Sequence, residues 1–276
     1  MKKFGLKPLT EDKDFKFGSI KKLPSLNEIP PRFLLGNTTI YDQGASDFCG
    51  GAASATVTEL QEGEPMSFEW IFAVAKKLSG DPVDSFGVDL RSICKVHTKL
   101  GSLPRDKAPF TIETHSIDFL RDIKNWPPEL LTYAIPNKKK TYFQVTGPYD
   151  AFDNIRASMY LTHTATLIGV NFGWPLDQVY INTVAENGAG HAMACIGWDT
   201  DHLIVRNSFG NGVGLNGNHY IHRDVINANI NKYGAFIMLD MDREDVEWHI
   251  DNSIYVDDPW YVAILKVIQK LCGIKS

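Results

Sequence analysis

The chain has 276 residues, of which 43% are hydrophobic and 22% are charged, and its formal net charge is −5. This composition predicts a globular protein with a sizeable core, built as one large domain or two small ones. Because nucleic-acid-binding proteins usually carry a basic excess, we expect no nucleic-acid partner.

The sequence carries no obvious targeting, membrane or metal signal. Residues 1–7 lack an apolar core of signal-peptide length, and no stretch reaches the ~18 apolar residues of a membrane span. The four cysteines form no CxxC pair and no metal-ligand spacing; they are Cys49, Cys94, Cys195 and Cys272. We therefore expect reduced thiols, no metal site and no cofactor, with Cys94 and Cys195 in the core.

Helices dominate the first half of the predicted chain and strands the second. A lysine-rich N-terminal arm, 1–28, is expected on the surface or as a mobile terminus. Hydrophobic spacing and caps predict helices over 51–62, 67–77 (with Ser67 as N-cap), 89–100, 116–123, 128–134 and 152–160. Apolar runs predict strands over 164–172, 191–198, 203–207, 219–221 and 234–240. This order favours an α+β fold, arranged as two lobes.

One stretch, 41–53, has the character of a nucleophile site. Its Cys49 falls where the helix should begin, and the positive end of a helix favours thiolate over thiol. Gly50 and Gly51 follow and are expected to open space beside the cysteine. The plain alternative is that Cys49 is a buried packing residue, as free cysteines often are.

Two later segments supply the partners that such a cysteine needs. His191 enters an apolar strand after a glycine-rich loop, and Asn207 ends the next strand. An attacking thiol requires a base within hydrogen-bond reach, and that base requires a third group that fixes its tautomer. Gln43 lies six positions before Cys49, where its amide can stabilise an oxyanion together with the Cys49 N–H.

These motifs resemble those of the papain-like cysteine peptidases. The residues that carry the resemblance are Asp42-Gln43-Gly44, Cys49, Gly190-His191-Ala192, Arg206-Asn207-Ser208-Phe209-Gly210 and the glycines up to Gly217. His191 and Asn207 follow Cys49 by roughly 140 and 160 residues, against about 130–150 in the family. The resemblance covers residues 29–240. It implies a two-lobed α+β fold, with a helical left lobe, an antiparallel β-barrel-like right lobe and the active-site cleft between them.

The resemblance also assigns roles to individual residues. Cys49 would be the nucleophile, His191 the base and acid, Asn207 its orienter and Gln43 the oxyanion donor. Secondary roles would fall to Gly87 (pairing with the substrate backbone), Ala189 and Gly190 (bordering a side-chain pocket) and Phe209 (shielding, in place of the family's tryptophan). The substrate would be a peptide or protein, cleaved without a cofactor.

Departures from the family point to a particular branch. The cysteine that normally forms a disulfide near the nucleophile is absent, and no long prosegment precedes the domain. The chain is therefore expected to be of the intracellular prokaryotic or viral type, cytoplasmic, with association with a virion as an alternative. On this division residues 29–242 form the peptidase domain.

Three further interpretations stay open at the level of sequence. The protein could be an inactive member of the fold that serves in binding or assembly. The arm, 1–28, could occlude the cleft and inhibit. The C-terminal extension, 243–276, contains an amphipathic helix that either packs on the body or docks to a partner, a second copy or a membrane surface. His219 and His222 are expected to point apart and to hold no metal.

Overall fold

The computed structural model describes residues 2–9 and 14–240. The C-terminal extension and its predicted amphipathic helix lie outside these ranges. The described helices are α1 Phe17–Ile20, α2 Cys49–Glu62, α3 Phe68–Ser79, α4 Leu90–Lys99, α5 Ile117–Arg121, α6 Leu131–Ala134, α7 Ala151–Thr162 and α8 Arg223–Tyr233. Within these residues, no helix combines the length and apolarity needed to cross a membrane.

Eight strands form one sheet. They are β1 Arg32–Leu34, β2 Thr141–Gln144, β3 Thr166–Phe172, β4 Tyr180–Ile181, β5 Ala189–Asp199, β6 His202–Arg206, β7 Asn218–His222 and β8 Ala235–Leu239. The order is β2-β8-β3-β5-β6-β7-β4, and β1 pairs with β5. The pairing is antiparallel except between β4 and β7, which run parallel. The long strand β5 lies in the middle of the sheet and pairs with β1, β3 and β6.

Side chains of β5 divide between two hydrophobic cores, as the two-residue period of a strand requires. Ala192, Ala194 and Ile196 belong to the core that includes α2, α3 and α4. Met193 and Cys195 belong to the second core, which includes α7 and α8. Each lobe thus has its own core, and the predicted two-lobed α+β architecture is confirmed.

The helical lobe is built from well-capped helices. The Ser67 hydroxyl accepts a hydrogen bond from the Trp70 N–H at the start of α3, and α3 ends at Gly80 in the left-handed conformation. The Asp89 carboxylate accepts from the Ser92 N–H at the start of α4. These caps satisfy N–H groups that a helix start leaves free, and they explain why α3 and α4 were predicted to within two residues.

We expected the two small glycines after Cys49 to open space beside it, but they do not. A Cβ on Gly51 would lie 2.3 Å from the Phe68 carbonyl oxygen, and one on Gly50 would lie 3.1 Å from the Ile93 side chain. Helix α2 therefore approaches α3 and α4 closely at its first turn. The glycines serve this packing and not a widened cleft.

One further expectation was wrong, and two kinds of element were not predicted. Helix α8 lies between β7 and β8 in the strand-rich half, where no helix was predicted. The short strands β1, β2 and β4 were not predicted, because each has too few residues for a clear alternation. The arm is not a surface segment, because Leu6, Phe17 and Leu23 are all buried.

Candidate active site

Cys49 is the first residue of α2 and is fully buried. The preceding residue, Phe48, stacks on Phe72 of α3 with ring centroids 4.3 Å apart. This stacking fixes the loop that delivers the cysteine to the helix start. The thiol therefore sits beside the free N–H groups of the first turn, as the sequence predicted.

His191 and Asn207 meet at the centre of the sheet. His191 lies in β5, and Asn207 follows β6, which pairs with β5. The His191 Nε2 and the Asn207 Oδ1 are 2.8 Å apart. The Phe209 ring lies parallel to the imidazole, with centroids 5.0 Å apart and an interplanar angle of 4°. The other ring nitrogen of His191, Nδ1, is buried and has no hydrogen-bond partner among the described residues.

The helical lobe and the sheet adjoin at Cys49. The backbone N–H of Ala192, the residue after His191, is close enough to the thiol to lower its pKa. Gln43 reaches the same place from the loop before α2. Its Nε2 donates to the Ser46 carbonyl at 2.7 Å, and its Oε1 accepts from the Ser208 hydroxyl at 2.6 Å. These two bonds fix the orientation of the Gln43 amide.

The N-terminal arm runs through this site. The Gly5 N–H donates to the Cys49 Sγ at 3.3 Å. The Leu6 N–H donates to the Gly190 carbonyl at 2.9 Å, and the Gln43 Nε2 donates to the Lys3 carbonyl at 3.2 Å. Backbone groups of the arm thus cover the thiol and reach the predicted oxyanion donor.

Side chains of the arm add further contacts. The Phe4 ring packs against Phe172, His191 and Phe209, with ring centroids 5.2 to 5.5 Å apart. The Lys7 ammonium pairs with the Asp81 carboxylate at 2.7 Å. The arm is therefore held by an aromatic contact on the histidine side and by an ion pair on the opposite side.

Burial sets the protonation of the pair. It raises the pKa of the Cys49 thiol to about 11. It lowers the pKa of the His191 imidazole to about 4, although the Asn207 hydrogen bond opposes this shift. With the arm in place the pair is thus a neutral thiol and a neutral imidazole near pH 7. The thiolate that the helix start was expected to favour is not the form in this covered state, because the desolvation cost exceeds the effect of the helix dipole.

No protein-family model and no curated protein matches the chain. Solved structures do. Xylellain, a cysteine protease from Xylella fastidiosa, is similar with a TM-score of 0.69 and 22% identity, over 87% of this chain and 96% of its own. The chain has the papain-like fold.

Two more papain-like structures illustrate the range. Procathepsin L 3 of the Tenebrio molitor larval midgut has a TM-score of 0.61 and 13% identity, over 85% of this chain and 75% of its own. The bromelain protease from Ananas comosus, in complex with the E64 inhibitor, has a TM-score of 0.56 and 15% identity, over 76% and 99%.

Val88, the neighbour of the predicted Gly87, pairs with the backbone of the arm. The Val88 N–H donates to the Gly5 carbonyl and the Val88 carbonyl accepts from the Lys7 N–H, both at 3.0 Å. Gly87 instead permits close approach, since a Cβ there would lie 1.9 Å from the Gly5 carbonyl oxygen. Of the two predicted pocket residues, Gly190 contacts the arm, whereas Ala189 is exposed at the start of β5.

A buried charge cluster holds the Gly87 segment beside the nucleophile. The Asp47 carboxylate accepts from the Gly87 N–H at 2.6 Å and from the Arg121 guanidinium at 2.9 Å. The Lys76 ammonium donates to the Gly87 carbonyl at 2.8 Å. Asp47 and Arg121 are separated by more than seventy positions in sequence, so the sequence analysis missed the pair. Through these contacts the cluster holds the Gly87 segment against the Asp47 segment, which precedes the nucleophile.

Replacing Asp47 with asparagine is expected to lower the free energy of unfolding by about 3 kcal/mol, because it removes the buried partner of the Arg121 charge and leaves, among the described residues, only the exposed Asp118 at 3.8 Å. Chemical denaturation measures the change. The matched control is Asp106→Asn, which breaks the exposed pair with Lys107 and should cost less than about 1 kcal/mol. Equal effects of the two substitutions would contradict the prediction.

Proposed function

We propose that this chain is a cysteine peptidase, with Cys49 as nucleophile, His191 as base and acid, Asn207 as orienter and Gln43 as oxyanion donor. The observation that carries the proposal is the His191–Asn207 pair, whose Nε2 and Oδ1 lie 2.8 Å apart. It leaves the buried Nδ1 of His191 without a hydrogen-bond partner among the described residues, in a strand whose next residue, Ala192, neighbours the thiol at the start of α2. Gln43 adds an amide fixed by two hydrogen bonds.

The reaction follows from these positions once the arm leaves the cleft. The Nδ1 of His191 takes the proton from the thiol, and the Sγ of Cys49 attacks a peptide carbonyl carbon. The carbonyl oxygen becomes an oxyanion, which the Gln43 Nε2 and the Cys49 N–H stabilise. His191 then donates its proton to the leaving amine and activates a water molecule, which hydrolyses the thioester and frees the thiol.

The arm acts in this proposal as an inhibitory segment. The group that faces the Cys49 Sγ is the Gly5 N–H, a donor, and not a carbonyl carbon that a thiol could attack. The Gln43 amide, which should bind the oxyanion, is occupied by the Lys3 carbonyl. The arm therefore fills the cleft without being presented for cleavage, and the covered pair stays neutral.

Closure of the arm should depend on pH in both directions. In this proposal closure lowers the pKa of the base His191 from an ordinary 6.5 to about 4. The neutral imidazole therefore favours the closed state above pH 6.5, and this effect is lost as the pH falls. Closure raises the pKa of the acid Cys49 from an ordinary 9.0 to about 11. The neutral thiol therefore favours the closed state below pH 9, and this effect is lost as the pH rises. Closure should be tightest between these limits.

We expect the amide protection of Leu6 and Lys7, corrected for intrinsic exchange, to fall about tenfold or more between pH 7.5 and pH 5. Hydrogen exchange measures this directly, and His191→Gln, which cannot titrate there, is the matched control and should flatten the profile. Protection that is the same at both pH values in the wild-type chain would contradict this account of closure.

The test of the proposed function combines cleavage with labelling. A full chain whose arm is displaced by Gly5→Val, where a Cβ would lie 2.0 Å from the Asp47 carbonyl oxygen, is incubated with a peptide library before and after treatment with a thiol-directed epoxide. Mass spectrometry maps the position of the adduct. We expect cleavage, one adduct on Cys49, and loss of cleavage in proportion to that adduct. The alternative of an inactive binding protein predicts no cleavage and a thiol no more reactive than a free one. Cleavage that survives complete modification of Cys49 would contradict the assigned nucleophile.

A further inference from the structure

A second histidine stands behind the His191–Asn207 pair. His219, in β7, is fully buried, and its Nε2 lies 2.9 Å from the Asn207 Nδ2. Its Nδ1 lies 2.7 Å from the Gln178 carbonyl oxygen. A chain of hydrogen bonds thus runs from a backbone carbonyl through His219 and Asn207 to His191. The sequence predicted for His219 only that it points away from His222 and holds no metal, because the contact with Asn207 forms through the pairing of β6 with β7.

The proton positions along this chain follow from one fixed acceptor. A backbone carbonyl only accepts hydrogen bonds, so the Gln178 oxygen requires an N–H at the His219 Nδ1. In a neutral imidazole the other nitrogen, Nε2, then carries a lone pair. It can accept only from the amino group of Asn207. The orientation of an amide and the positions of ring protons are assigned from such hydrogen-bond networks. With a neutral His219, this network allows one assignment: a proton on the His219 Nδ1 and the Asn207 amino group directed at its Nε2.

The proton position on His191 follows from the same hydrogen-bond network. With its Nδ2 directed at His219, Asn207 presents its Oδ1 to the His191 Nε2 at 2.8 Å and to the Ser208 N–H at 2.7 Å. The oxygen is an acceptor, so the His191 Nε2 must carry the proton. The lone pair of a neutral His191 then lies on Nδ1, the atom without a hydrogen-bond partner among the described residues.

We propose that His219 is a positioning residue that, through Asn207, fixes His191 in the tautomer able to accept the Cys49 proton. The inference rests on the proposed function, in which His191 acts as the base. Without an acceptor at the position of the His219 Nε2, the Asn207 amide can rotate and present its amino group to His191. Two donors would then face each other, and His191 would lose the orientation and tautomer that the reaction requires.

The surroundings of His219 keep it neutral and immobile. The Phe172 ring of β3 packs against it with centroids 5.5 Å apart, and a Cβ on Gly214 would lie 3.2 Å from its Nδ1. Val205 of β6 is its partner across the sheet. Among the contacts of the described residues, the titratable group that faces it is His191, beyond Asn207. Burial lowers the pKa of His219, so the neutral form is held at pH 7.

The first test reads the tautomers directly. The full chain is labelled with ¹⁵N-histidine, and the ring nitrogens of His219 and His191 are assigned by NMR at pH 7.5. We expect a proton on Nδ1 of His219 and on Nε2 of His191. A His219 that carries its proton on Nε2, or on both nitrogens, would overturn the proposal, whether or not the protein cleaves peptides.

The second test uses two substitutions of similar size, made in a full chain whose arm is released by Gly5→Val. His219→Gln can place a carbonyl oxygen near the former Nε2 and should keep kcat within about threefold. His219→Met offers no comparable acceptor and should lower kcat about tenfold to hundredfold with KM within about twofold. The ¹⁵N signals of His191 should shift in the Met variant alone.

The outcomes separate this proposal from the proposed function. Equal kcat values for the wild-type residue and the Met variant, with the His191 tautomer unchanged, would overturn the positioning role while leaving the peptidase intact. No cleavage by any of the three chains would contradict the proposed function, and the NMR assignment would still decide the role of His219.

Discussion

Replacing Cys49 with alanine is expected to abolish peptide hydrolysis, with kcat/KM lower by about 10⁴- to 10⁶-fold. The thiol is the only group placed to attack the carbonyl in this mechanism, and neither His191 nor Gln43 can replace it. The binding surfaces of the cleft remain, so peptide affinity should change little. Progress curves on a fluorogenic peptide selected from the library measure the loss, and the epoxide should no longer label this position.

The matched control is Cys195→Ala, which removes a thiol from the same region without touching the reaction. Cys195 lies in β5, four residues after His191, and its Sγ donates to the Gly197 carbonyl at 3.4 Å. This substitution should cost stability but leave kcat within about twofold. Residual activity in Cys49→Ala that a thiol reagent still destroys would identify another nucleophile and contradict the assignment.

The papain-like fold and the pairing of His191 with Asn207 could be predicted because their signals are local. A cysteine at a helix start, a histidine entering a strand and an asparagine ending one each lie at an element boundary that caps and alternation reveal. Only their order and spacing had to be added to suggest a family. The boundaries of α3 and α4 were equally local, since Ser67 and Asp89 cap them.

The remaining features of the site depend on contacts between distant segments. Asp47 acquires its role from Arg121, and His219 acquires its role from Asn207 and Gln178. Val88 pairs with the arm, while the Gly87 backbone is held by Asp47 and Lys76. The path of the arm depends on its backbone, whose Gly5 and Leu6 amides meet Cys49 and Gly190. Composition and periodicity describe the side chains along one segment, so neither could predict these contacts between distant segments.

The arm makes its closest approach at Gly5, and this position should control access to the nucleophile. A Cβ on Gly5 would lie 2.0 Å from the Asp47 carbonyl oxygen and 2.6 Å from the Asp47 Cβ. The Asp47 segment cannot yield, because its side chain is fixed by Gly87 and Arg121. Gly5→Val must therefore lift the arm from the thiol.

We expect Gly5→Val to raise the rate of Cys49 alkylation by iodoacetamide at pH 7 about 100-fold, since a clash of about 3 kcal/mol is released by opening. Loss of burial also returns the thiol pKa toward its ordinary range, which increases the thiolate fraction. Peptide cleavage by the full chain should rise with the alkylation rate.

Gly212→Ala is the matched control, because a Cβ there meets nothing within 4 Å. It should leave both rates unchanged. A Gly5→Val chain that is alkylated as slowly as the wild type, with Leu6 and Lys7 still protected from exchange, would mean that the arm does not govern the thiol. Faster alkylation without faster cleavage would mean that the arm covers the thiol, but it would contradict the proposed peptidase activity.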